Sequence, residues 1–194
     1  IFKWIHQRFV TDFDQMTDLA KDLRVKLKEV FTIEKLPRSF EQLSTDGTRK
    51  FLFKLQDGKT IESVLIPTDD RLTICISSQV GCAMGCKFCN TASMGLQRNL
   101  EVYEIVGQVL ELSRAIEEKE FEVKSEDGPV LPRISNIVFM GMGEPLMNYN
   151  NVLKAIEMIT STEGLGMSPK RIMVSTSGIP KMIKKLADDE VKFK

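Results

Sequence analysis

Arg71-Leu-Thr-Ile-Cys-Ile-Ser-Ser-Gln-Val-Gly-Cys-Ala-Met-Gly-Cys-Lys-Phe-Cys89 is the stretch whose reading decides the fold. Leu72 to Ser77 has the apolar, β-branched texture of a buried strand, and it runs directly into a loop that carries three cysteines. Beyond the loop, Val102, Ile105, Val106, Val109, Ser113 and Ile116 recur at helical spacing and mark the core face of a helix. Strand, loop and helix make one β/α unit, and the pattern repeats. Ile134 to Met140 reads as a second buried strand, with a helix near Asn151 to Ser161. Arg171 to Ser175 reads as a third, with a helix from Pro180 to Ala187, and a fourth strand is expected from Val191. The polar stretch Lys119 to Pro132 is a surface loop between the first helix and the second strand. Strands alternating with helices imply a parallel sheet with right-handed crossovers, whose ligand sites lie at the carboxyl ends of the strands. The fold class expected is α/β, an incomplete (β/α) barrel of about three units and the start of a fourth strand.

Upstream the texture differs. Between Arg38 and Pro67, short β-type runs are separated by Asp46-Gly47 and Asp57-Gly58, strong turn signals that predict a small antiparallel meander. Pro67 and Asp69-Asp70 punctuate the chain and place a boundary in the low 70s. Before the meander, Met16, Leu19, Ala20, Leu23, Leu27 and Val30 predict an amphipathic helix over Met16 to Val30, preceded by a shorter one around Trp4 to Phe9. The division expected is therefore a partial helical accessory region at 1–37, the meander at 38–70, and the first half of the barrel at 71–194. Lys21, Arg24 and Lys28 form a basic stripe that can touch phosphates, although a solvated helix face is the simpler reading. The single histidine, His6, has no partner with which to build a metal site and reads as a surface or partly packed residue.

A chain of 194 residues, 42% hydrophobic, has enough apolar material for a sizeable core. Its 27 basic and 27 acidic residues balance, so charge alone does not point to nucleic acid. No apolar run approaches the roughly 20 residues that span a bilayer, and the start of the chain lacks the pattern of a secretory signal, which predicts a cytoplasmic protein. In that compartment four cysteines at 75, 82, 86 and 89 indicate metal or catalytic use in place of a disulfide framework.

Cys82-Ala-Met-Gly-Cys86-Lys-Phe-Cys89 places three thiolates on one loop, a spacing that can hold three corners of a [4Fe-4S] cubane and leave one iron open. An open iron can take the amino and carboxylate groups of S-adenosyl-L-methionine (SAM), and the reduced cluster can cleave it to a 5′-deoxyadenosyl radical. This spacing is the radical SAM signature, with Phe88 as the aromatic before the last cysteine. A structural zinc site is the competing reading, but it calls for four ligands, usually in paired elements. Cys75 is a doubtful fourth ligand because the pleat of its strand fixes its direction. At the end of the second strand, Gly141-Met-Gly143-Glu144-Pro145 allows a close backbone approach to a ligand, and Glu144 can accept from the methionyl ammonium of SAM. Ser175-Thr-Ser-Gly178, at the third strand end, offers hydroxyls to the carboxylate or ribose. Each of these two is weak alone; three strand ends converging on one cofactor are not.

The chain resembles the dual-specificity 23S rRNA and tRNA adenine-C2 methyltransferases of the RlmN type over nearly its whole length. The resemblance is carried by Ser44-Thr-Asp-Gly-Thr48, Ser77-Ser-Gln-Val-Gly-Cys82, Cys86-Lys-Phe-Cys89-Asn-Thr-Ala92, Met140-Gly-Met-Gly-Glu-Pro-Leu146 and Ser175-Thr-Ser-Gly178. It implies a radical SAM barrel in which one SAM methylates a cysteine near the C-terminus and the radical from a second SAM activates that methyl group for addition to C2. It also implies that Cys75 assists deprotonation at C2 and releases the protein and RNA adduct through a transient disulfide. Read from its strand alone, Cys75 is a small buried apolar residue. Glu62 matches a glutamate sometimes assigned as proton acceptor; Gly143, Glu144, Ser175 and Phe88 carry over as SAM contacts, and Cys82, Cys86 and Cys89 as cluster ligands. The partners implied are 23S rRNA, tRNA and an external electron donor of the flavodoxin-reductase kind, with a monomer expected at full length. The accessory region is implied to help hold RNA.

The resemblance also marks what these 194 residues do not contain: the first part of the accessory domain, a Ser-Leu-His segment of the fourth strand and the methyl-carrying cysteine. They therefore read as a fragment, inactive alone, with a barely paired edge on the third strand and exposed apolar faces. The alternatives are the sister family that methylates C8, another radical SAM enzyme, or a noncatalytic zinc or RNA-binding module.

Overall fold

The computed structural model describes residues 1–125 and 127–194; Glu126, inside the polar loop, lies outside the described residues. Six strands form one open sheet in the order β1 (Arg38–Leu43), β2 (Arg49–Lys54), β3 (Thr60–Pro67), β4 (Leu72–Cys75), then β7 (Asn136–Phe139) and β8 (Ile172–Val174). β1 through β4 pair antiparallel, whereas β4, β7 and β8 are parallel, so the sheet changes character at β4 without a break. β5 (Gln79–Val80) and β6 (Arg98–Asn99) form a separate two-stranded ribbon that brackets the cysteine loop and the one-turn helix α3 (Asn90–Ser93).

Side-chain alternation decides which face is covered. Leu72, Ile74, Ile76, Ile137, Phe139 and Ile172 are buried in a core shared with α4 (Val102–Glu117) and α5 (Tyr149–Thr160). Each of these apolar side chains contributes about 1.5–3 kcal/mol on burial, which is why the helix stripe from Ile105 to Ile116 seats against the strands. The opposite face is half exposed. Aligned register places Met173, Val138, Cys75, Val64 and Lys50 in one row across it. Met140 and Met173 are 53% and 41% exposed on it.

The N-terminal part departs from the expected helix over Met16 to Val30. The side chain of Asp12 caps a short 3-10 turn, Phe13–Gln15, in a capping box with Gln15, and Met16 is fully buried beside Val10 and Phe13. The helix α2 therefore starts at Lys21 and runs to Val30, and α1 spans Phe2–Gln7. The basic stripe is drawn inward to acids: Lys28 pairs with Asp12 and Asp14, and Arg24 donates to the Asp14 carbonyl. His6 is packed, stacked on Phe2 at 3.9 Å, and burial holds its imidazole below the ordinary range. At the other end, α6 spans Pro180–Asp188. Residues from Val191 do not form the expected strand, but Lys194 donates its N–H to the Ile172 carbonyl and accepts from the Val174 N–H, one parallel rung on the outer edge of β8. No helix among the described residues is long and apolar enough to cross a membrane.

Candidate functional site

The carboxyl ends of β4, β7 and β8 meet at one edge of the sheet, held by buried polar groups. Ser77, fully buried one turn of pleat past Cys75, donates its hydroxyl to the Glu62 carbonyl at 2.6 Å and accepts from the Met142 N–H at 2.9 Å. Gln79 accepts from the Glu144 N–H at 2.8 Å and donates to Asn99 at 2.7 Å. Asn148 donates to the carbonyls of Ser78 and Leu100, both at 2.8 Å. The glycines of Gly141-Met-Gly143 make the crossing possible: a Cβ at Gly143, whose φ is +101°, would lie 2.5 Å from the Gln79 side chain, and one at Gly141 would lie 2.7 Å from the Ile76 backbone. The close approach that these glycines permit is thus first of all to the neighbouring strand end.

Glu144 is 3% exposed and fully engaged. One oxygen accepts from the Leu146 N–H and the Thr176 hydroxyl, the other from the Ser177 N–H and hydroxyl, at 2.7–3.0 Å. It therefore ties the end of β7 to the end of β8. Thr176 and Ser177 reach it, while Ser175 is exposed on the rim.

The cysteine loop leaves this edge through Gly81, whose φ of +73° and contact with the Gly95 carbonyl leave no room for a side chain. Cys82 is buried and its N–H donates to Gly95 at 3.1 Å; Cys86 and Cys89 are half-buried, and Phe88 is 94% exposed. Among the described residues no three His, Cys, Asp or Glu side chains stand close enough together to hold a metal ion. The donor set nevertheless fits an iron–sulfur cluster: three free thiols on one eight-residue loop, with Gly85 at φ +66° and nothing within 4 Å of its Cβ direction to keep the loop from closing.

Cys75 lies on the half-exposed sheet face, between Val64 and Val138 in register. Burial pushes its thiol up, opposed by a hydrogen bond with the Met140 backbone. Glu62 shares that face, paired with Lys50 at 3.4 Å. All four cysteines are free, so the expected disulfide is not present in this chain; Cys75 is fixed by the pleat, whereas the other three thiols stand on the loop beyond the strand. A cavity of about 640 Å³ lies elsewhere, between the N-terminal helices and α4, lined by Ile5, Phe13, Leu27, Tyr103 and Leu110.

Sequence reasoning missed Gln79, Gln108 and Asn148, the buried polar groups of this edge. For Gln108 a signal was present: it lies three residues after Ile105 and four before Leu112, a polar side chain inside an apolar stripe.

An α/β sheet with a three-cysteine loop at the carboxyl edge of its first parallel strand defines a class. The model of the Radical SAM superfamily matches residues 76–192, and the chain belongs to that superfamily. Within it the similarity is to the dual-specificity RNA methyltransferases named RlmN. Residues 1–33 match the ribosomal RNA large subunit methyltransferase N-terminal domain. The chain is 54% identical over 194 residues to a probable dual-specificity RNA methyltransferase RlmN of Flavobacterium psychrophilum, covering 100% of this chain and 53% of that relative. It is 51% identical over 183 residues to the dual-specificity RNA methyltransferase RlmN of Geobacter sulfurreducens, covering 94% and 46%. A crystal structure of a radical SAM methyltransferase from Sphaerobacter thermophilus matches with a TM-score of 0.85 at 39% identity, covering 100% of this chain and 54% of that one. The chain thus spans about half the length of the curated relatives it matches.

Proposed function

We propose that this chain is part of a radical SAM RNA methyltransferase that methylates C2 of adenine in 23S rRNA and tRNA, working in the cytoplasm with an external electron donor. The observation that carries the reading is the placement of Cys75 and Glu62 on one half-exposed sheet face, directly below the edge from which the cysteine loop emerges. Cys82, Cys86 and Cys89 would hold a [4Fe-4S] cluster, which when bound supplies the electron that makes SAM a radical source. Gly143, Glu144, Ser175 and Phe88 are the side of the site assigned to SAM. Since four donors of this chain already occupy Glu144, engaging the methionyl ammonium requires Thr176 or Ser177 to yield. Cys75 is the thiol assigned to deprotonation at C2 of the substrate adenine, burial holding it in the protonated form at rest, and Glu62, on the same face and paired with Lys50, is the carboxylate assigned as proton acceptor. The methyl-carrying cysteine of such an enzyme lies outside these 194 residues, whose four thiols are all assigned above.

The test is anaerobic reconstitution of the full-length protein with iron and sulfide, followed by electron paramagnetic resonance with and without SAM. Turnover on rRNA and tRNA fragments is then read by mass spectrometry. The expected product is 2-methyladenosine; 8-methyladenosine would move the assignment to the sister family. A Cys82→Ala, Cys86→Ala or Cys89→Ala variant that kept its full iron content would overturn the ligand assignment.

A further inference from the structure

The ladder between β3 and β4 stops one pair early. Val64 stands opposite Cys75, so Glu62 stands opposite Ser77. Just past β4 the N–H of Ile76 points to Val138 of β7, and its carbonyl accepts from Gly141. By alternation, the N–H and carbonyl of Ser77 therefore point toward β3, where a continued antiparallel ladder would join them to Glu62. They do not bond to it. The side-chain amide of Gln108, reaching from α4, takes both: its Oε1 accepts from the Ser77 N–H at 2.8 Å and its Nε2 donates to the Ser77 carbonyl at 3.0 Å. Oε1 also accepts from the Ser63 hydroxyl at 2.8 Å, and Nε2 donates to the Glu104 carbonyl at 3.2 Å. Gln108 is wholly buried.

The geometry points to Gln108 as a positioning residue that stands in for a strand: its amide caps β4 at Ser77, holds β3 and β4 apart there, and so sets where the strand ends and the cysteine loop begins. The inference rests on the reading of Cys82, Cys86 and Cys89 as cluster ligands. Two consequences follow from the contacts. With the backbone of Ser77 held by Gln108, its hydroxyl is free to bridge the Glu62 carbonyl and the Met142 N–H, which fixes the glycine-rich end of β7 relative to β3. Without the amide, the backbone of Ser77 has two choices: to zip onto Glu62, drawing the loop toward β3 and away from β7, or to remain unpaired in a buried position, where each orphaned group is costly.

The test compares wild type, Q108L and Q108E in the full-length protein by thermal melting, peptide-resolved hydrogen exchange and iron content after reconstitution. Q108L removes all four bonds at similar volume; Q108E keeps the two acceptor contacts but loses both donors and sets an unpaired buried carboxylate oxygen against the Ser77 and Glu104 carbonyls. In Q108L the segment from Ile76 to Cys82 should exchange at least about tenfold faster, the factor expected from one or two lost buried hydrogen bonds, while the strands β1 and β2 keep their protection. Iron uptake should fall in both Q108L and Q108E, and the spectrum of the loaded fraction should broaden. A purely structural role would lower the melting temperature and raise exchange everywhere, yet leave iron per folded molecule and the spectrum unchanged; that result overturns the inference. Should either variant fail to melt cooperatively, the other decides by the same comparison. If wild type takes up no iron, the cluster reading fails by itself, and local exchange still decides whether Gln108 caps the strand.

Discussion

Replacing Gly81 with alanine should disturb the cysteine loop far more than replacing Gly85, four residues on, although both glycines sit at positive φ. At Gly81 (φ +73°) a Cβ would stand 1.8 Å from the Gly95 carbonyl oxygen and 3.0 Å from its carbon, both backbone atoms with no rotamer to retreat into. At Gly85 (φ +66°) nothing lies within 4 Å. Each substitution incurs the cost of a left-handed conformation, about 1–2 kcal/mol. Gly81→Ala must in addition push Gly95 away, losing the bond from the Cys82 N–H at 3.1 Å and straining that from the Gln97 N–H to Val80 at 2.9 Å. At about 0.5–1.5 kcal/mol for each backbone bond, the total for Gly81→Ala is about 3 kcal/mol, roughly twice that for Gly85→Ala. Urea denaturation of the two full-length variants, followed by far-ultraviolet circular dichroism, measures the difference. Equal losses would refute the claim that the ribbon of β5 and β6 is clamped across Gly81 by backbone contact.

Three more outcomes can be checked directly. In the metal-free protein, iodoacetamide should label Cys86 and Cys89 before Cys75, and labelling of Cys75 should accelerate only above the ordinary thiol range, since burial raises its pKa; mass mapping of Cys75 as the first site at neutral pH would contradict its placement. Asp57 is held down from 3.8 to about 2, chiefly by the hydrogen bond from Arg98. A carboxylate with a depressed folded pKa contributes stability above its unfolded pKa and loses it as pH falls, so that contribution should vanish between pH 3.8 and about 2, and Asp57→Asn should flatten the acid limb of a stability-against-pH curve over that window. Phe51, fully buried and 5.4 Å from the ring of Phe121, should cost about 3–5 kcal/mol when cut to alanine, measured by denaturation; a loss below about 1 kcal/mol would mean that this end of the core is not close-packed.

The β/α alternation was legible because its strands are runs of apolar residues and its helices carry clean stripes: α4 was anticipated from Val102 through Ile116 and ends at Glu117. What local pattern could not carry was pairing. That β3 joins β4, making the meander and the parallel strands one sheet, depends on contacts across Pro67 and Asp69-Asp70, residues that by themselves signal only a turn. The ribbon of Gln79–Val80 and Arg98–Asn99 escaped notice because two-residue strands have no periodicity to read. Met16 misled in the opposite direction: its spacing fits a helix, but the Asp12 cap ends that possibility locally and burial with Phe13 makes the alternative stable. At the site, the cysteines and glycines announce themselves by spacing, whereas Gln79, Gln108 and Asn148 act by reaching across the fold to strand ends distant in the chain.

The switch from antiparallel to parallel pairing at β4 also sets a timetable for synthesis. β1 through β4 close through short turns, so this half of the sheet can assemble as soon as it emerges from the ribosome. The partner of β4 on its other side comes much later: Thr73 pairs with Asn136, roughly 60 residues downstream. At about 5–20 residues per second, the free edge of Leu72–Cys75 waits about 3–12 s for β7 to arrive. During that interval the nascent chain presents an apolar strand with unsatisfied backbone groups and, a few residues after it, three free thiols.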